Sequence, residues 1–116
     1  MHDNKVDRTT NGTGLVKDKN LKEIKSLDAV SWFDKKYKNE KVPELNDILN
    51  KYKDKTNFYI ETKHPDMYPG MDEKLIKDLE NNGLLKQENL KNGNLIIQSF
   101  SETSLKIYTN SMKIYR

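Results

Sequence analysis

At 116 residues, with 34% hydrophobic and 34% charged residues, the chain supports one small core. It has fewer than half of the roughly 250 residues of a closed (β/α)8 barrel, which excludes a complete one. Its 21 lysines and arginines alternate with 18 acidic residues, a solvated surface and not a nucleic-acid footprint, so no nucleic-acid partner is expected. The absence of cysteine excludes disulfides and thiolate metal sites, and no apolar run reaches the roughly 18 residues of a membrane span.

Residues 1–19 are rich in Asn, Gly, Thr and Asp and are punctuated by Asn11-Gly12 and Gly14. They read as a loop or tight hairpin after a strand, with Met1 an internal residue of a longer parent. No signal segment opens the chain, and a cytoplasmic or a secreted parent fits equally. Asn20 and Glu23 have capping-box spacing, and Leu21, Ile24 and Leu27 share a face, which predicts a short helix ending near Asp28. The charged stretch 34–41 is expected to be mobile. Pro43 reads as a first helical position, opening a helix to about Lys53 on Leu45, Ile48, Leu49 and Tyr52.

Phe58-Tyr59-Ile60 predicts a buried strand that ends around Thr62, with Glu61 near its C-terminal end. After a loop at Pro65, Pro69 and Gly70, a third helix follows on Met71, Leu75, Ile76 and Leu79. Asp72 and Glu73 lie in its first turn, and Gly83 is its stop. Leu95-Ile96-Ile97 repeats the strand signal, and Ser101 caps a last helix through Leu105, Tyr108 and Met112. Strands alternating with helices imply an α/β fold with a parallel sheet.

In such folds reactive groups gather at the C-terminal ends of parallel strands, where loops converge on one substrate. His2, Glu61 and Gln98 all fall at such positions. A carboxylate there suits a hard cation such as calcium or magnesium, and Lys63, two residues on, points the same way and is placed to meet a phosphate. Taken singly, each has a plainer reading: His2 as an exposed loop histidine, Glu61 and Lys63 as a surface ion pair. His64 reads as a loop residue without a metal role, because adjacent strand residues face opposite ways. Asn11-Gly12-Thr13-Gly14 lacks the G-K-[ST] ending of a phosphate loop and reads as a turn.

The run His2-Asp3-Asn4-Lys5-Val6-Asp7-Arg8-Thr9-Thr10-Asn11-Gly12-Thr13-Gly14 changes that balance. With Ile60-Glu61-Thr62-Lys63 and Ile96-Ile97-Gln98-Ser99-Phe100 it resembles the glycerophosphodiester phosphodiesterase family, most of all its Gram-positive branch. The likeness continues through Leu27-Asp28-Ala29-Val30-Ser31-Trp32-Phe33, Val42-Pro43-Glu44-Leu45 and Tyr68-Pro69-Gly70-Met71. Val30 stands where the family usually has glycine and Glu44 where threonine is common, and the pattern decays after Ser104-Leu105-Lys106.

The resemblance implies a partial TIM (β/α)8 barrel and metal-dependent hydrolysis of small glycerophosphodiesters to an alcohol and sn-glycerol 3-phosphate, a step of glycerol and lipid metabolism. It implies Ca2+ before Mg2+ as the metal. His2 matches the second of two catalytic histidines, Glu61 the third metal carboxylate, Lys63 a phosphate-contacting lysine, and Gln98 a polar substrate-binding residue. Trp32 and Phe33 are expected to pack against the barrel. The family's opening H-R-G and its E-x-D carboxylate pair have no counterpart here. Residues 1–116 are therefore expected to be an internal piece lacking the first and last barrel strands and inactive alone. The competing expectation is a non-catalytic remnant or interaction fragment that associates through exposed sheet edges.

Overall fold

The computed structural model describes residues 1–112, so the last four residues of the expected 1–116 segment lie outside the described residues. The chain forms two compact units, residues 1–44 and the residues from 45 onward.

In the first unit, the Asn/Gly/Thr-rich opening folds back on itself. Lys5 bridges Leu15 in antiparallel fashion, Val6 N–H donates to the Gly14 carbonyl at 3.0 Å, and Val16 N–H donates to Asn4 at 2.9 Å. Inside the turn, the Thr10 hydroxyl donates to the Val6 carbonyl at 2.7 Å and accepts from Gly12 N–H at 3.0 Å. A Cβ at position 12 would sit 2.7 Å from Leu27 Cδ2 and 3.3 Å from Val6 Cγ2, so a larger residue there would have to push the end of the Leu27 side chain aside where the turn closes onto fully buried Val6. Helix α1 (Leu21–Ser26) starts at the expected capping box: Glu23 N–H donates to Asn20 Oδ1 and Asn20 N–H to Glu23 Oε2.

Asp28, itself buried, organises the remainder of this unit. Its backbone exchanges hydrogen bonds with Asn11, and its carboxylate accepts from Val30 N–H, Ser31 N–H, Ser31 Oγ and Asn39 N–H. The 34–41 stretch, expected to be mobile, is therefore fastened. It holds a 3-10 turn at Lys35–Tyr37 capped by Asp34, and Lys41 bridges Asp28. Asn39 takes the left-handed conformation, φ 74°, which asparagine tolerates better than most residues. Trp32 and Phe33 do not pack inward: they are 57% and 70% exposed and meet edge to face, rings 6.0 Å apart. The turn that Asp28 closes on Val30 and Ser31 leaves the next two side chains outside.

In the second unit, helix α2 (Leu45–Tyr52) begins two residues after Pro43, not at it. A proline without N–H is accommodated both in the first turn and just before it, so it marks a helix start only to within a turn. Strand β1 (Phe58–Thr62) is followed by helix α3 (Met71–Asn81), helix α4 (Gln87–Lys91), strand β2 (Leu95–Ser99) and helix α5 (Glu102–Met112). The strands pair in parallel, Phe58 opposite Leu95 and Thr62 opposite Ser99, as the alternation of elements predicts.

Helix α4 has no counterpart in the sequence reading, because five residues show no apolar stripe. Helices α3 and α4 end alike. Gly83 and Gly93 turn left-handed at φ 72° and 70°. Gly83 and Leu84 N–H return to Glu80 and Leu79, and Gly93 and Asn94 N–H return to Leu90 and Asn89. This is the Schellman pattern, which needs a residue free to take positive φ.

The core joins Leu49, Leu75, Leu79, Leu84, Leu95, Tyr108 and Met112, with Phe58, Ile60 and Ile97 packed against it. The strands thus bury one face only: Tyr59 is 65% and Ile96 47% exposed, contrary to the expectation of a fully buried strand. Side chains alternate across a strand, and among the described residues the core covers a single side of the pair. A polar tie links the two long helices. Asp72, in the first turn of α3, accepts from Ser104 Oγ at 2.7 Å and from the Tyr108 hydroxyl, both on α5. No helix among the described residues is long and apolar enough to cross a membrane.

Candidate active site

Glu61 and Gln98 sit opposite each other in register, each one residue before its strand's last. Both lie on the sheet face turned away from the apolar core, and Tyr59, two residues before Glu61, shares it. The Tyr59 hydroxyl donates to Gln98 Oε1. Lys63 follows the end of β1, with Nζ 3.7 Å from Glu61 Oε1 and 5.3 Å from the centre of the Phe100 ring. Phe100, just past β2, is 81% exposed. The C-terminal edge of the parallel pair thus assembles a carboxylate, an ammonium group, an oriented amide and an aromatic ring.

His2 belongs to the first unit, and what holds it there is local. Its Nδ1 lies 3.0 Å from Asp3 Oδ1, and Arg8 grips the same carboxylate through Nε at 2.7 Å and Nη2 at 2.9 Å. The Arg8 guanidinium, and after it His2, hold the Asp3 carboxyl well below the usual carboxylate range. With an ionised Asp3 engaging Nδ1, His2 Nε2 is the ring nitrogen left to exchange a proton.

The structure therefore brings Glu61, Lys63 and Gln98 together and places His2 on separate, locally built support. Sequence reasoning missed Tyr59, Asp3 and Arg8 as site residues. The signal for Tyr59 was available: two residues before Glu61 on a strand is the same face. For Asp3 and Arg8 the spacing alone carried none. Among the described residues no three His, Cys, Asp or Glu side chains converge as a metal site. One carboxylate does not satisfy a hard cation that takes about six to eight oxygens, so the described donor set alone does not fit calcium or magnesium.

A parallel βαβα unit with polar groups gathered at its strand ends is a segment of a TIM barrel of the kind that carries enzyme sites at that end. The model of the "Glycerophosphoryl diester phosphodiesterase family" matches residues 1–116. The glycerophosphodiester phosphodiesterase of Bacillus subtilis strain 168 is 51% identical over 113 residues, covering 90% of this chain and 38% of that protein. That of Caldanaerobacter subterraneus subsp. tengcongensis is 40% identical over 109 residues, 91% of this chain and 42% of that one. The crystal structure of glycerophosphodiester phosphodiesterase from Agrobacterium tumefaciens str. C58 matches with a TM-score of 0.77 at 30% identity, over 100% of this chain and 45% of that one. The chain spans about two fifths of the length of these relatives. It belongs to the glycerophosphoryl diester phosphodiesterase family.

Proposed function

We propose that residues 1–116 contribute part of the active site of a metal-dependent glycerophosphodiester phosphodiesterase, which hydrolyses small glycerophosphodiesters to an alcohol and sn-glycerol 3-phosphate in glycerol and lipid metabolism. The observation that carries this reading is the register pair Glu61–Gln98 with Lys63 beside it at the C-terminal ends of two parallel strands.

Lys63 supplies positive charge to a phosphodiester oxygen, and Gln98 a hydrogen bond to another. As water adds to phosphorus and the P–O bond to the alcohol breaks, the leaving oxygen needs a proton, and His2 in its imidazolium form, with Nδ1–H held by Asp3, gives it from Nε2. A divalent cation, calcium before magnesium, belongs to this reading, with Glu61 as one of its carboxylate ligands and the others contributed from outside the described residues. The reading thus treats the chain as an internal piece of a barrel domain that does not hydrolyse substrate alone.

The test is a chimera in which this chain replaces the matching segment of the Bacillus subtilis relative, assayed for sn-glycerol 3-phosphate release from glycerophosphocholine with calcium present. The expected result is an active chimera in which Glu61→Gln and His2→Ala each lower the rate, His2→Ala by at least about a hundredfold, the range for loss of a positioned acid or base. A folded but inactive chimera would support the competing reading, a non-catalytic remnant.

A further inference from the structure

A glutamine side chain carries an acceptor at one end of its amide and two donors at the other, and turning the amide over exchanges them. What Gln98 presents to a ligand therefore depends on what holds it. Gln98 is half-buried on the open sheet face, and its Oε1 is taken by the Tyr59 hydroxyl. Tyr59 pairs in register with Ile96, two positions before Gln98, so the contact runs diagonally across the two strands. Such diagonals are within reach of a long aromatic side chain. The neighbour directly opposite Gln98 is Glu61, with Lys63 Nζ 3.7 Å from the Glu61 carboxylate.

We propose that Tyr59 is a positioning residue: by donating to Oε1 it commits the Gln98 amide to one orientation, so that Nε2, with its two N–H groups, is the end offered to a phosphodiester oxygen beside Lys63. Without the phenol hydroxyl the amide is free to turn its carbonyl toward the anion, an arrangement of like partial charge. Tyr59 touches no reacting atom and acts through Gln98. This inference rests on the proposed function insofar as it takes the strand ends as a phosphate site. The orientation of the amide does not depend on that function.

The experiment uses the 15N-labelled chain and NMR of the Gln98 side-chain NH2 group, with Tyr59→Phe as the variant. Because Tyr59 is 65% exposed, the variant is expected to keep the wild-type fold and thermal midpoint. In the free wild-type chain the Gln98 NH2 protons are expected to show no nuclear Overhauser contact with the Tyr59 ring protons next to the hydroxyl. Added sn-glycerol 3-phosphate is expected to shift the NH2 resonances, with Kd about fivefold weaker in Tyr59→Phe, the size of one net hydrogen bond.

Close contact of the NH2 protons with Tyr59 overturns the proposal whatever the chain's function. Equal Kd values in wild type and variant overturn it while leaving the phosphate site standing. No shift of Gln98 with the probe in either protein overturns it together with the proposed role of Gln98.

Discussion

Arg8 holds Asp3 by both carboxylate oxygens, and that same carboxylate faces His2 Nδ1 at 3.0 Å. Three residues from one short sequence motif thereby determine how an imidazole sits. Neutral His2 is expected to carry its proton mainly on Nδ1, which 15N chemical shifts of the ring report directly. Arg8→Ala frees Asp3 to swing away and is expected to make the Nδ1–H form no longer dominant. An unchanged tautomer ratio in that variant would show that Asp3 needs no anchor.

Asp28 makes the first unit sensitive to acid. The Asn39 N–H, followed by Ser31 through its N–H and its hydroxyl, holds the carboxyl well below its ordinary range. A carboxyl depressed in the folded state contributes stability above its unfolded pKa, near about 3.9, and that contribution is lost as pH falls toward the folded value. Trp32, the single tryptophan of the sequence, directly follows the turn that Asp28 closes on Ser31. Its fluorescence is expected to change as pH drops below about 4, and Asp28→Asn is expected to abolish that step.

Tyr108 sets the opposite limit. Burial first, and then the hydrogen bond to Asp72, push its phenol above the usual value. Because the folded-state pKa is raised, its stabilising effect is complete below the unfolded pKa near about 10 and fades as pH rises through the folded value. Tyr108→Phe removes one donor from Asp72 and is expected to cost about 1–2 kcal/mol in urea unfolding near neutral pH. A double-mutant cycle with Ser104→Ala should be non-additive, since both side chains share the Asp72 carboxylate.

Leu79 is fully buried and also lends its carbonyl to the turn that ends α3. Leu79→Ala is expected to cost about 2–5 kcal/mol, the range for a leucine removed from a packed core. Gly83→Ala, with φ 72° at that position, is expected to cost about 1 kcal/mol or somewhat more. Urea titration followed by circular dichroism separates the two. A loss at Gly83 as large as that at Leu79 would mean the turn, not the core, sets the helix in place.

Where a feature depends on neighbours in sequence, it was legible before any coordinates. The Asn20–Glu23 capping box, the Gly83 stop and the Ser101 cap are each built by residues a few positions apart, and each appears as read. The same holds for the parallel order of elements and for Glu61 and Gln98 near strand ends. Features that depend on what lies across space were not legible. An apolar run such as Phe58-Tyr59-Ile60 does not say how many of its faces are covered. The tie from Tyr59 to Gln98 spans 39 positions and exists only because the strands pair in one register. The fastening of 34–41 follows from one carboxylate at Asp28 collecting donors from Ser31 nearby and from Asn39 further along the chain, which a list of charged residues conceals.

Along β1, the even-numbered Phe58, Ile60 and Thr62 share the covered face, while the odd-numbered Tyr59 and Glu61 look outward. Along β2 the parity is reversed: Leu95 and Ile97 join the core, Ile96 and Gln98 the outer face. Chemistry and cohesion are interleaved residue by residue. Point substitutions at odd positions of β1 are free to alter what the surface does without touching what keeps the unit folded. Inserting or deleting one residue within either strand would swap the two sets at a stroke, driving a carboxylate inward and a leucine or isoleucine out. Length variation among descendants of this chain therefore belongs in the connecting loops, and the five-residue strands are where it cannot be absorbed.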